Sequence, residues 1–170
     1  MERPEVTAKV FAYGSNMCSG RLRLYNVSPQ GAGQAALLKE YSLCFNKRSE
    51  KDRSGKANVE PQAGGEVWGV LYEVLDADLE KLDLCEGGYR RAIHRVCINA
   101  IEVEAWVYVA RNPSRDASLR PYTWYQRLLV DGAVEHALPP LYLDRLVAIE
   151  AAQDPDSSRD RKMREILCAR

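Results

Sequence analysis

Apolar positions in this chain come in short runs with two different periods, and the period assigns each run to a strand or a helix. Residues 8–13 are apolar after a polar start and read as a first strand. Gly14-Ser15-Asn16 breaks it, because these residue types favour turns and helix caps. Residues 18–25 predict a short helix carrying Leu22 and Leu24. Residues 35–45 alternate as a strand does, through Leu37, Tyr41, Leu43 and Phe45. Residues 46–65 are rich in Lys, Arg, Ser, Gly, Pro and Gln and predict a surface loop. Val67, Trp68, Val70, Leu71, Tyr72 and Val74 crowd residues 66–74 into the clearest strand.

Asp76 is the expected N-cap of the next helix, and Leu75, Leu79 and Leu82 recur at helical spacing to give it one apolar face. That helix is expected to end near Glu86, because Gly87-Gly88 follows and glycine supplies a left-handed cap. Residues 93–100 and 102–110 read as two antiparallel strands joined by a tight turn. Residues 120–136, with Trp124, Leu128, Leu129 and Ala133, read as helical. Pro139-Pro140 opens a last helix with Tyr142, Leu146 and Ile149 on its buried face. Residues 153–162 are polar, so the end of the chain is expected to be loosely held.

This order of elements predicts one mixed α/β (α+β) domain over residues 1–152 with a polar C-terminal tail at 153–170. It does not fit a doubly wound dinucleotide fold, because no G-x-G-x-x-G turn follows the first strand. The length, 170 residues, suits one domain, and 46% hydrophobic with 28% charged residues suits a globular one. Lys plus Arg equal Asp plus Glu at 24 each, so no long-range field favours nucleic acid or an anionic membrane. The basic stretch from Lys47 to Lys56 also holds Glu50 and Asp52 and reads as a solvated loop. No signal peptide or membrane helix is expected. Five cysteines without a C-x-x-C pair favour reduced thiols and a cytoplasmic protein.

Several chemistries lack their residues. Two histidines, His94 and His136, are too few for a histidine-built metal site. Gly14-Ser15 is not set in a G-x-S-x-G elbow. Ser54-Gly55-Lys56-Ala57 lacks the earlier glycine and the Ser/Thr of a phosphate loop. Two features remain. Tyr13-Gly14-Ser15-Asn16 ends a strand before a helix, which leaves backbone N–H groups for an anion; a plain Ser-Asn helix cap is the alternative. Glu86 sits at a helix end, where the macrodipole disfavours its charge and burial would raise its pKa, as acid/base work requires; a solvated glutamate is the alternative.

Taken together, these two features resemble the γ-glutamyl cyclotransferase family, with its Y-G-S-N after the first strand and its glutamate before a glycine. Gly65-Glu66-Val67-Trp68-Gly69-Val70, Leu82-Asp83-Leu84-Cys85-Glu86-Gly87, the segment from Tyr125 to Gly132-Ala133, Leu138-Pro139, and Leu146 to Glu150 extend the resemblance over residues 9–150. It implies a barrel-like mixed sheet flanked by helices, with Glu86 catalytic and Tyr13, Gly14, Ser15, Asn16, Tyr89, Tyr108 and Tyr125 binding substrate. The implied reaction closes 5-oxoproline by attack of the substrate's α-amine on its γ-carbonyl. It needs no metal or organic cofactor and no partner beyond a small γ-glutamyl substrate; a homodimer is compatible with it. The glutathione-specific branch usually has Leu for Asn16 and the γ-glutamylamine branch usually has Y-G-T-L, so Asn16 favours γ-glutamyl amino acids. Removal of a γ-glutamyl protecting group in a biosynthetic pathway, or ligand binding without turnover, are the alternatives.

Overall fold

In a computed structural model of the chain, residues 5–166 are described. Five strands, β1 (Thr7–Ala12), β2 (Gln34–Arg48), β3 (Gly55–Leu75), β4 (Tyr89–Ile98) and β5 (Ile101–Ala110), close a barrel in the order β1-β3-β2-β4-β5. Neighbours run antiparallel except β1 and β5, which meet in parallel at Val10 and Trp106. The ring closes through single-residue pairings, Leu37 with Cys97 between β2 and β4 and Val10 with Trp106 between β1 and β5. Five helices surround it: α1 (Ser19–Leu24), α2 (Asp76–Cys85), α3 (Thr123–Glu135), α4 (Pro140–Val147) and α5 (Ser157–Arg164). The mixed α+β domain expected from the sequence is the fold observed.

Hydrophobic burial ties the layers together. Phe11, Leu38, Val59, Val67, Val70, Val96 and Val107 from the strands join Leu82 of α2, Trp124, Leu128 and Leu129 of α3 and Leu146 of α4 in one core. α3 also lies against the turn that follows β1. A Cβ on Gly132 would meet the Met17 backbone carbon at 2.7 Å and the Cys18 nitrogen at 2.8 Å, so only glycine allows this approach. The β4–β5 hairpin closes on Asn99 and Ala100, both at positive φ, the two-residue turn that matches strand twist.

Several expectations need correction. Residues 46–65 are not a loop: β2 runs on to Arg48 and β3 begins at Gly55. Their polar groups are paired, with Asn58 Nδ2 donating to Asn46 Oδ1 at 3.0 Å and Lys56 Nζ to Asp52 Oδ2 at 2.9 Å. Lys47, Ser49, Ser54 and Asn58 are buried. β4 starts at Tyr89, four residues before the expected 93. Leu75, not Asp76, occupies the α2 N-cap position, and Asp76 stands in the first turn with Asp78, where carboxylates suit the macrodipole. Of the two leucines of α1, Leu22 is buried and Leu24 exposed.

The chain's end is also held more firmly than its composition suggests, as far as Ile166. Trp124 Nε1 donates to Asp154 Oδ2 at 2.8 Å, and Arg159 grips the same carboxylate through Nε and Nη2 at 2.8 and 2.6 Å. Ile166 is buried in the core cluster; the last four tail positions lie outside the described residues. Cys18 is disulfide-bonded, which corrects the expectation of wholly reduced thiols, while Cys44, Cys85 and Cys97 are free.

Candidate active site

β1 ends at Ala12 and a 3₁₀ turn spans Ser15–Met17. Its closing bonds run from Met17 N to Gly14 O and from Cys18 N to Ser15 O, both at 3.1 Å. The N–H groups of Ser15 and Asn16 therefore have no acceptor inside the turn. Gly14 is closely surrounded: a Cβ there would lie 3.0 Å from Tyr125 Oη and 3.1 Å from Ala57 Cβ, a tight fit.

Glu86 arrives from another element. It is the C-cap of α2, and its N–H donates to Leu82 O at 2.9 Å. Gly88 then turns the chain at φ +84 into β4; a side chain there would also strike Lys47 Cε at 2.7 Å. Asn16 Nδ2 donates to Glu86 Oε1 at 2.6 Å, joining the two motifs directly.

All eight residues singled out from the sequence line one cavity: Tyr13, Gly14, Ser15, Asn16, Glu86, Tyr89, Tyr108 and Tyr125. Ala57 of β3 completes its polar wall, and this residue was missed. Its N–H donates to Tyr125 Oη at 3.1 Å, and its carbonyl accepts from Tyr89 Oη at 2.6 Å. An alanine that acts through its backbone leaves no side-chain signal. Tyr13 Oη donates to the Tyr108 carbonyl, and Tyr108 Oη to Asp83 Oδ1 at 2.7 Å. Asp83 is held in turn by Arg91 at 3.3 Å. The tyrosine rings are thereby fixed before any ligand enters, which is the preorganisation that binding and catalysis exploit.

Charge in this cavity is concentrated in one group. Burial raises the hydroxyl pKa of Tyr13, Tyr89 and Tyr108, and that of Tyr125 to about 12, so all four stay neutral near pH 7. Burial likewise pushes the Glu86 carboxyl above its ordinary value; the Asn16 hydrogen bond and the cations Arg21, Lys47 and Lys51 hold it back. Among the lining residues, Glu86 alone carries a side chain that exchanges protons in the acid-to-neutral range. Asn16 Oδ1 is buried with no partner among the described residues, an acceptor awaiting a donor.

The basic stretch expected to be solvated is part of the surroundings instead. Lys47 and Lys56 are turned inward beside the cavity, and Asp52 pairs with Lys56. The periodicity of the surrounding segment held no sign of this, because charge alternates with small residues there. Among the described residues, no group of three or more His, Cys, Asp or Glu side chains is placed to hold a metal ion. No helix among them is long and apolar enough to cross a membrane.

The family described as gamma-glutamyl cyclotransferase, AIG2-like, matches residues 10–127. The chain is 31% identical over 150 residues to the gamma-glutamylcyclotransferase of Mus musculus, covering 82% of this chain and 77% of that protein. Its identity to the Homo sapiens gamma-glutamylcyclotransferase is 31% over 155 residues, with the same shares. A solved structure described as a gamma-glutamyl cyclotransferase superposes with a TM-score of 0.82 at 27% identity, covering 94% of this chain and 99% of that one.

Proposed function

Since the chain belongs to the γ-glutamyl cyclotransferase family, we propose that it converts γ-glutamyl amino acids into 5-oxoproline and the free amino acid, with Glu86 as acid and base. The observation that carries this reading is the isolation of Glu86 as the single proton-exchanging carboxyl in a cavity of neutral, prearranged tyrosines.

The reaction asks for four things: a folded substrate, a free amine, a stabilised oxygen anion and a protonated leaving group. The cavity walls fold the substrate so that its α-amine faces its own γ-carbonyl. Effective molarities of about 10⁵–10⁸ M for well-oriented intramolecular attack make this the largest contribution. Glu86 takes a proton from the α-ammonium, and Asn16 Oδ1 accepts a hydrogen bond from the same nitrogen. Attack forms the lactam C–N bond. The N–H groups of the Gly14–Asn16 turn hold an anionic oxygen of the substrate. Glu86 then protonates the leaving nitrogen as the original amide C–N bond breaks. The two protons that the ammonium loses on becoming a lactam N–H leave with the released amine, so the balance closes without water.

The tyrosine hydroxyls contribute position rather than acid/base chemistry, because each already has a hydrogen-bond partner in the wall. Incubation with L-γ-glutamyl-L-alanine tests the proposal. Equal amounts of 5-oxoproline and alanine are expected; an unchanged substrate would refute it.

A homodimer and a cytoplasmic location belong to the same proposal. Leu141 and Val147 on α4 are exposed apolar surface that a second copy would cover, and sedimentation of the full chain checks this. Cys44, Cys85 and Cys97, free among the described residues, support the cytoplasm, whereas the Cys18 disulfide weighs against it.

A further inference from the structure

A second cavity adjoins the first and shares Ser15, Glu86, Tyr89 and Tyr125 with it. The rest of its lining differs in kind. Arg21, Lys47, Lys51 and Lys56 bring four cations to it, against the carboxylates of Glu50 and Glu86. The tyrosine-lined cavity has no cation at all among its lining residues.

Lys56 is accounted for by the protein itself. Asp52 pairs with it at 2.9 Å, and its ammonium lies 4.4 Å from the Trp124 ring centre and 4.7 Å from that of Tyr125. Lys47 is not accounted for. The residue is only 6% exposed, and its ammonium has no ion-pair partner among the described residues. Its ammonium lies 5.1 Å from the centre of the Tyr89 ring. Burial disfavours its charge, with Glu86, Glu50 and Asp52 compensating from a distance. The hairpin register also sets Lys47 directly opposite Lys56, an arrangement in which like charges repel. Arg21 adds a second unmet donor, since its Nε is buried without a hydrogen-bond partner among the described residues. Burying cations without counter-charge is costly, and an incoming anion would relieve it.

The two cavities meet at Glu86, which hands its proton to the leaving nitrogen. The atoms beyond that nitrogen therefore point into the cationic cavity. We propose that Lys47, assisted by Arg21, binds a free carboxylate on the leaving group, so that the protein selects γ-glutamyl amino acids or peptides with an unblocked carboxyl end over γ-glutamylamines. The inference rests on the reaction proposed above.

The test compares L-γ-glutamyl-L-alanine with L-γ-glutamyl-L-alaninamide, which differ only in that carboxylate. Both keep the α-carboxylate of the γ-glutamyl end. In the wild-type protein the free acid should be favoured about ten- to a hundredfold in kcat/KM, the usual range for a hydrogen bond to a charged group. Lys47→Met should bring that ratio towards one, and Lys47→Arg should restore part of it. Any change in Glu86 acidity caused by losing Lys47 acts on both substrates and cancels in the ratio. Equal wild-type efficiency on both substrates would overturn the inference while leaving the reaction intact, and this comparison needs no variant to fold. Equal losses on both substrates in Lys47→Met would also overturn it, since Lys47 would then serve the γ-glutamyl end. Absence of 5-oxoproline from both would remove the reaction and the inference together.

Discussion

The two cavities that meet at Glu86 are built on opposite electrostatic plans. In the first, every wall tyrosine is neutral and already hydrogen-bonded, so the cavity is complete without its ligand. In the second, cations outnumber carboxylates, and two donors, Lys47 Nζ and Arg21 Nε, lack protein partners among the described residues. A finished wall suits the part of a substrate that never varies, here the γ-glutamyl unit that becomes the lactam. An unfinished one suits a part recognised by charge alone. Glu86 belongs to both, and its raised pKa reflects the burial of the first while the cations of the second restrain it.

The largest effect should come from removing the proposed proton carrier that the two cavities share. Glu86→Gln keeps the shape and an acceptor for Asn16 but cannot move a proton. We expect kcat on γ-glutamyl-alanine to fall about 10²–10⁴-fold with the fold intact. Near-normal kcat in a folded variant would take Glu86 out of the mechanism.

Distorting the finished wall should come next. Gly14→Val pushes a branched side chain towards Tyr125 Oη and Ala57 Cβ, each about 3 Å from a Cβ at that position. Displacing reacting groups by roughly 1 Å costs on the order of 10²-fold. kcat/KM should drop by that much while the melting temperature changes by comparatively little. Normal binding and turnover would show that backbone approach at Gly14 is unimportant.

A smaller effect separates burial from local charge at Glu86. Its carboxyl has a raised pKa, so the folded chain binds that proton more tightly than the unfolded one. Stability from this source is present at acid pH and is lost as pH rises through the ordinary carboxylate value and the raised one. Glu86→Gln removes the loss. In urea titrations from about pH 4 to about pH 8, the variant should gain stability relative to wild type as pH rises. A pH-independent difference would mean that the cations of the second cavity cancel the burial.

The smallest effect concerns Cys85, the thiol beside Glu86. Burial first, and the Glu86 charge second, raise its pKa, which suppresses the thiolate. It is half-buried at the second cavity and not among the residues lining the first. Cys85→Ala should change activity per folded molecule by less than about twofold, in line with substitutions away from critical contacts. A γ-glutamyl thioester seen by intact-mass spectrometry would contradict this.

The two regions also differ in how far the sequence revealed them. The first cavity was legible because its parts are signalled locally: a strand stopped by Gly14-Ser15-Asn16, a helix stopped before Gly87-Gly88, and a recognisable order of motifs between them. Its Ala57 was not, since a backbone donor and acceptor carry no residue-type signature. Residues 46–65 were misread because their polarity suggests solvent. Part of that polarity is instead satisfied inside the protein, by the Asn46–Asn58 hydrogen bond and the Lys56–Asp52 ion pair. Whether Lys47 faces water or a cavity depends on a strand register that irregularities between Cys44 and Lys47 shift. The same long-range dependence hid α5, whose few apolar residues matter less than the grip of Asp154 on Trp124 and Arg159.

The claim beneath all of these comparisons is that the substrate's own amine, not water, cleaves the γ-glutamyl amide. Turnover of L-γ-glutamyl-L-alanine in heavy-oxygen water, followed by mass spectrometry of the products, tests it most directly. Cyclisation in the first cavity predicts 5-oxoproline without the label, released together with alanine. Glutamate carrying one heavy oxygen in its γ-carboxylate would show hydrolysis instead and contradict the account.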